Sequence, residues 1–199
     1  MADMFQRTPA GAVSPTRGAL EYRYRSARNQ LLWIVGFSAL NLILLVGGTN
    51  TRFLFSAIIP LMLVDLGMYL CGMYPVEEYG AEYNELTFMD SGVFYAIVAV
   101  AFVIVGVYLL LWFLARKNKY VWLIVAAVLF ALDSVMVLFS MLGSPGGALL
   151  DLLFHAWIMY SLISGIISAV KLGNLPPEET VYIDPNNPTQ PPLDFSVDE

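Results

Sequence analysis

The chain has 199 residues and is strongly apolar: 58% of its residues are hydrophobic, 13% are charged, and the mean hydropathy is +0.69. Soluble domains carry about 25% charged residues, so an ordinary water-exposed surface is excluded and lipid is expected to cover much of the protein. The net charge of −6 comes largely from residues 77–90 and from the C-terminal tail. This local acidity gives no indication of nucleic-acid binding.

Residues 1–30 form a basic N-terminal arm with five arginines and two acids. Part of the arm is predicted to be an amphipathic helix on an anionic lipid surface, and a solvated arm whose arginines direct insertion is the other interpretation. Because this polar arm precedes the first apolar run, the pattern of a cleavable signal peptide is absent and the run is expected to stay as an anchor.

Five apolar segments follow, each near the length of about 20 residues that a membrane-spanning helix needs. They cover residues 31–47, 53–74, 91–115, 120–142 and 148–170. The connections between them contain turn formers or charges that would not stay in hydrocarbon. The sequence therefore predicts an all-α integral membrane protein whose residues 31–172 form a bundle of five transmembrane helices.

The second segment leaves an alternative open, because Pro60 interrupts it. In that alternative the chain makes four crossings and has one re-entrant or interfacial helix. With five crossings, five Lys and Arg residues fall on each side, so the positive-inside rule ties. The usual dominance of the first helix favours a cytoplasmic N-terminus, whereas Lys171 and the basic residues at 116–119 favour the reverse.

Residues 173–199 form an acidic, proline-rich tail without a basic residue, which predicts disorder; a docking peptide is the other interpretation. The single cysteine, Cys71, excludes an intrachain disulfide.

Ionisable side chains inside the predicted spans are costly, by about 2.5–3.5 kcal/mol at a helix centre, so they are expected to face the bundle interior and to have partners. A short turn at 143–147 makes the last two spans antiparallel and brings Asp133 level with His155, while Asp151 lies one turn before His155 on the same helix face. His155 is therefore predicted to hydrogen-bond to Asp133, Asp151 or both. The full predicted cluster adds two residues at a similar depth and comprises Asn41, Asp65, Asp133, Asp151 and His155.

Three roles are open for this cluster. A hydrogen-bonded clamp between helices is the first, a proton or cation site is the second, and a catalytic centre is the third. One histidine and one cysteine do not suffice for an ordinary zinc site, and neither a metal nor a cofactor is expected. Ser161, Gly165 and Ala169 form a small-xxx-small stripe, which is typical of close helix packing rather than of serine catalysis. An enzyme is therefore not expected.

Four stretches, "RFLFSAIIP", "LFALDSVMVLF", "DLLFHAWIMYSLISG" and "KLGNLP", resemble those of a family of small bacterial multi-spanning inner-membrane proteins. The resemblance covers roughly residues 23–176. It implies a multi-pass protein of the bacterial cell membrane and carries no activity, cofactor or ligand.

The function predicted from the sequence is that of a non-enzymatic structural or partner-binding membrane component with a buried Asp/His cluster. A small proton- or ion-coupled transporter or channel that uses the cluster is the alternative. The expected partners are the lipid bilayer and a membrane protein or a second copy of the chain, without nucleic acid. The sequence does not indicate which small molecule or ion would be carried.

Overall fold

The structure is a computed structural model that describes residues 16–49, 51, 53, 54, 56–80, 86–116, 119–143 and 145–175. Within these ranges every regular element is a helix: α1 (Arg17–Val46), α2 (Ile58–Leu70), α3 (Val76–Tyr79), α4 (Ser91–Leu114), α5 (Tyr120–Gly143) and α6 (Pro145–Gly173). The all-α prediction is confirmed for this part of the chain. The first 15 residues of the predicted arm and residues 176–199 of the predicted tail lie outside the described residues.

Four helices in the described ranges are long and apolar enough to cross a membrane: Arg17–Val46, Ser91–Leu114, Tyr120–Ser140 and Leu149–Gly173. The predicted second span, 53–74, is helical only from Ile58 to Leu70. Thirteen helical residues cover about 20 Å, which is short of a hydrocarbon core about 30 Å thick. The five-helix count is therefore not confirmed, whereas four long apolar helices and a shorter fifth are present.

The long helices pack antiparallel in chain order. The Tyr24 hydroxyl near the start of α1 donates a 2.6 Å hydrogen bond to the Ala115 carbonyl at the end of α4. In α6, Gly165 faces Ala27 of α1 so closely that a Cβ added to the glycine would lie 2.2 Å from the Ala27 Cβ. The start of α1 therefore lies at the same end of the bundle as the ends of α4 and α6.

We call this the basic end of the bundle. It contains the start of α1, the connection between α4 and α5, and the end of α6. The opposite end, which we call the acidic end, contains the end of α1, the start of α4 and the turn between α5 and α6. Three of the described carboxylates lie at this end, those of Glu77, Glu78 and Asp90.

Helix α1 begins at Arg17, 14 residues before the predicted span. Its early turns are buried, because Leu20, Tyr24 and Ala27 are each at most 2% exposed. These side chains pack in the bundle although charged residues alternate with them in the sequence. Residues 17–30 of the predicted arm therefore form one continuous helix with the predicted first span, up to Val46.

Helix α2 begins in the middle of the bundle and runs to the acidic end. Its first residue, Ile58, contacts Asp133, which lies in the interior of α5. Its C-terminal half faces the start of α4, since an added Cβ on Gly67 would lie 3.2 Å from Ile97. Because α1 ends at the acidic end, the chain enters the bundle from that end between Val46 and Ile58, and α2 returns it there.

Helices α1 and α2, which both run toward the acidic end, terminate in the same motif. After α2, Gly72 has φ +68°, its N–H bonds to the Tyr69 carbonyl, and the next N–H bonds to the Met68 carbonyl. This is a Schellman motif, in which a residue with positive φ satisfies the last carbonyls of the helix. Gly48, with φ +74°, has the corresponding place after α1.

Candidate functional site

The candidate site is the point inside the bundle where α2 begins. The first N–H groups of a helix have no partner within the helix, and they are costly to bury without one. At α2 the Asp133 carboxylate supplies two partners: Oδ2 accepts from the Ile58 N–H at 2.8 Å and Oδ1 accepts from the Ile59 N–H at 2.8 Å. The carboxylate also places negative charge at the positive end of the helix dipole.

The other two positions of the first turn are also accounted for. The N–H of Ala57, the residue that caps α2, donates to the Ser38 hydroxyl of α1 at 2.8 Å. The third helical residue is Pro60, which has no N–H to satisfy. All the unpaired donors at the start of this helix are thus bound by side chains of α1 and α5 or are absent.

Asn41 of α1 binds two of the non-helical residues that precede α2, Phe53 and Ser56. Its Nδ2 donates to the Phe53 carbonyl at 2.7 Å and to the Ser56 hydroxyl at 2.8 Å, and its Oδ1 accepts from the Phe53 N–H at 2.7 Å. The residue is 2% exposed. Asn41 therefore satisfies irregular backbone inside the bundle.

His155 of α6 lies against Asp133 and is likewise buried. Its Nε2 is 3.1 Å from Asp133 Oδ2, and its Nδ1 is 2.8 Å from the Asp151 backbone carbonyl. Its ring stacks on Phe130 at a centroid distance of 4.8 Å and an interplanar angle of 6°.

The geometry defines how protons are distributed in this pair. A carbonyl only accepts hydrogen bonds, so Nδ1 carries a proton. Two bare lone pairs facing each other at 3.1 Å would repel, so one further proton lies between Nε2 and Oδ2. The pair of Asp133 and His155 is therefore neutral as a whole, which suits its burial.

The structure brings only part of the predicted cluster together. Asp133, His155 and Asn41 all lie around the start of α2, and Asp151 is buried and contributes its backbone carbonyl to His155. Asp65 is elsewhere: it is exposed and accepts a hydrogen bond from the Tyr74 hydroxyl. The reason is that α2 begins at the depth of Asp133 rather than crossing past it, so Asp65, seven residues later, lies about 10 Å nearer the acidic end.

Two cavities at the acidic end meet at Asp65. The first, about 510 Å³, is lined by residues of α1, α2 and α3 that include Asn41, Ile58, Asp65 and Glu78. The second, about 720 Å³, shares Asp65, Tyr74 and Glu78 with the first. Neither Asp133 nor His155 lines either cavity. Burial and the hydrogen bond to Asp65 raise the pKa of Tyr74, so its hydroxyl remains a donor at neutral pH.

The small-residue stripe of α6 lies partly in the contact with α1. Gly165 faces Ala27, and Ala169 is 3% exposed, whereas Ser161 is only partly buried. Helix α1 approaches α6 so closely at Gly165 that a side chain there would collide with it.

Sequence reasoning missed two parts of the site. Ser38 is missing from the predicted polar cluster, although it lies one turn before Asn41 and the two share a face of α1. The main hydrogen-bond donors to Asp133 are backbone N–H groups, which cannot be recognised from a pattern of side chains. The signal that pointed to them was Pro60, which is tolerated in the first turn of a helix and disfavoured later.

Within the described residues, no three His, Cys, Asp or Glu side chains converge to hold a metal ion. Comparison with protein-family models, with curated protein sequences and with solved structures found no match to this chain.

Proposed function

We propose that this chain is a non-enzymatic integral membrane component whose buried Asp/His pair is a structural clamp. The observation that carries the proposal is the double hydrogen bond from the Ile58 and Ile59 N–H groups to the Asp133 carboxylate. Asp133 is 1% exposed, and each of its oxygens already has a partner. A clamp needs such a sealed and saturated carboxylate, whereas a proton carrier needs contact with water.

The proposed topology is four crossings and one re-entrant helix, α2. In the proposed bilayer α1, α4, α5 and α6 cross, and the segment 47–70 enters and leaves at the acidic end. Irregular backbone is tolerated at membrane depth where it is buried in protein or lines a cavity, and Ser38, Asn41 and Asp133 supply hydrogen-bond partners for it here. Large apolar side chains on the outside of α4 to α6, such as Val103, Phe139 and Tyr160, would then contact lipid.

This topology also removes the tie in the distribution of positive charge. The described Lys and Arg residues all lie in segments that belong to the basic end: Arg17, Arg23, Arg25, Arg28, Arg116, Lys119 and Lys171. By their places in the sequence, Arg7 and Lys117 belong to the same side, and Arg52 to the other. The positive-inside rule then favours a cytoplasmic basic end, with both chain termini in the cytoplasm. The resemblance stated above supports the bacterial inner membrane as the location.

The clamp is tested by substituting its members in the full-length purified protein. We expect Asp133→Asn to lower the free energy of unfolding by about 3–5 kcal/mol, because one backbone N–H then faces an amide N–H and His155 loses its counter-charge. His155→Phe should also destabilise. Asp65→Asn is the matched control, because its carboxylate is exposed, and should leave stability unchanged. Unfolding in detergent, followed by circular dichroism, measures all three.

The clamp proposal fails if Asp133→Asn folds with wild-type stability. It also fails if that variant is stable but has lost a pH-dependent ion flux that the wild-type protein shows in liposomes.

A small proton- or ion-coupled transporter remains the second candidate, and the cavity of about 510 Å³ at the acidic end favours it. The titratable groups in that cavity are Asp65, Tyr74 and Glu78 rather than the clamp. If the protein carries cations, uptake into proteoliposomes driven by a pH gradient should fall in Asp65→Asn. Uptake by the wild-type protein no greater than by empty liposomes would reject this candidate.

A further inference from the structure

Two arginines converge on one tryptophan at the basic end of the bundle. The guanidinium carbon of Arg28, in α1, lies 5.5 Å from the centre of the Trp112 ring in α4. The guanidinium carbon of Arg116, just after α4, lies 5.1 Å from the same ring and 5.0 Å from the Phe113 ring. The Trp112 Nε1 donates a 3.5 Å hydrogen bond to Asn29, which ties the ring to α1.

These two arginines are not neutralised by an acid in the part of the chain that the structure describes. Two other arginines of α1 do have acidic partners, since Arg17 and Arg25 both form ion pairs with Glu21. The Arg28 Nε is moreover buried without a hydrogen-bond partner among the described residues. Arg28 as a whole is only partly buried, so an external anion beside its guanidinium group would offset the positive charge that no described acid neutralises.

The height of the pair along the bundle indicates where such an acceptor comes from. Arg28 lies just before the apolar run that begins at Leu31, and Trp112 is two residues before the end of α4. Both therefore lie where the hydrocarbon core meets the headgroup layer, the usual depth for tryptophan and for arginine that contacts lipid phosphate. Phe113, beside Arg116, is 54% exposed and offers apolar surface to an acyl chain.

We propose that Arg28, Trp112 and Arg116 form a binding site for the phosphate of an anionic phospholipid. Both guanidinium groups lie within 5.5 Å of the same ring centre and offer N–H donors of the kind that bind phosphate oxygens. The site lies outside the clamp and would be occupied whichever way the bundle is oriented. Its failure would leave the proposed function and topology untouched.

The test measures binding of phosphatidylglycerol to the full-length protein in a neutral detergent, by native mass spectrometry across a lipid titration. The variants are Arg28→Gln, Arg116→Gln and their combination. A matched pair, Arg23→Gln with Lys119→Gln, removes two exposed charges from the same end of the bundle. We expect about a fivefold weaker apparent affinity for each single variant and a larger loss for the combination, while the matched pair loses less than twofold.

Three results would overturn the proposal. The first is an equal loss in the matched pair, which would mean that general surface charge attracts the lipid. The second is binding of phosphatidylcholine as tightly as phosphatidylglycerol. The third is competition by free glycerol phosphate at concentrations near those of the lipid, which would point to a soluble phosphate ester. If Arg28→Gln fails to fold, the exposed Arg116→Gln gives the same comparison.

Discussion

The carboxylate of Asp133 lies inside an apolar helix and has both backbone and side-chain hydrogen-bond partners. Sequence reasoning paired it with another ionisable side chain, His155, and that contact is present at 3.1 Å. Its two shorter bonds, however, go to backbone N–H groups of α2. A buried carboxylate accepts several hydrogen bonds at once, and the N-terminal end of a helix offers several free N–H donors close together. The histidine then completes the set and balances the charge.

At the residue scale, Ser38 provides a prediction of its own. Ser38→Ala leaves the Ala57 N–H buried without its partner, and we expect a loss of about 1–3 kcal/mol in the free energy of unfolding. Ser134→Ala is the matched control, since the Ser134 hydroxyl donates only to the Phe130 carbonyl of its own helix in the contacts described. Titration with SDS, monitored by tryptophan fluorescence, measures both. Equal stability of the two variants would contradict the role given to Ser38.

At the scale of elements, the bundle is organised by two close contacts of α1. With α2 the contact is polar, because the extended segment before α2 needs hydrogen-bond partners. With α6 it is apolar and tight, because Gly165 has no side chain where Ala27 lies. The buried face of α1 begins well before its apolar run, because Leu20 and Tyr24 are buried and the Tyr24 hydroxyl bonds to the end of α4.

The contact between α1 and α6 predicts a steric effect. Gly165→Ala adds a methyl group 2.2 Å from the Ala27 Cβ, so the helices must separate, and we expect destabilisation by about 1–3 kcal/mol. Gly106→Ala in α4 is the matched control, because nothing lies within 4 Å of the added Cβ. The control should be neutral or slightly stabilising, since alanine favours a helix more than glycine does. Thermal unfolding in detergent compares them, and a stable Gly165→Ala variant would refute the tight contact.

At the scale of the whole molecule, the number of crossings determines the side of every loop. Four crossings and a re-entrant helix put Cys71 at the acidic end, opposite both chain termini and Lys119. Five crossings would instead put Cys71 on the same side as the N-terminus and Lys119 on the other. The chain has one cysteine, and in both arrangements it lies on the side opposite Lys119, so labelling of these two positions gives the orientation. Reporters fused to both termini separate the arrangements, because the termini share a side with four crossings and lie on opposite sides with five.

We expect a membrane-impermeant maleimide to label Cys71 in intact cells or spheroplasts. The partner variant, Lys119→Cys in a Cys71→Ser background, should be labelled only after the membrane is permeabilised. Labelling of both proteins after permeabilisation is the control for reactivity of the thiols. If Lys119→Cys is instead labelled without permeabilisation and Cys71 only after it, a cytoplasmic basic end is rejected. Reporters fused to both termini would then show whether the number of crossings or the orientation is wrong.

The sequence by itself determined the helical class, the apolar stretches and four of the buried polar residues, Asn41, Asp133, Asp151 and His155. Length and hydropathy suffice for these, because hydrocarbon excludes charges and permits only backbone that satisfies its own hydrogen bonds. The tertiary structure decided how deep each stretch reaches. Residues 53–74 are apolar enough to cross, but Asn41 and Ser38 bind the non-helical backbone before α2. Asp133 binds the first two N–H groups of the helix, which therefore begins at Ile58. That outcome depends on hydrogen bonds between residues 12 to 75 positions apart, which no local pattern contains.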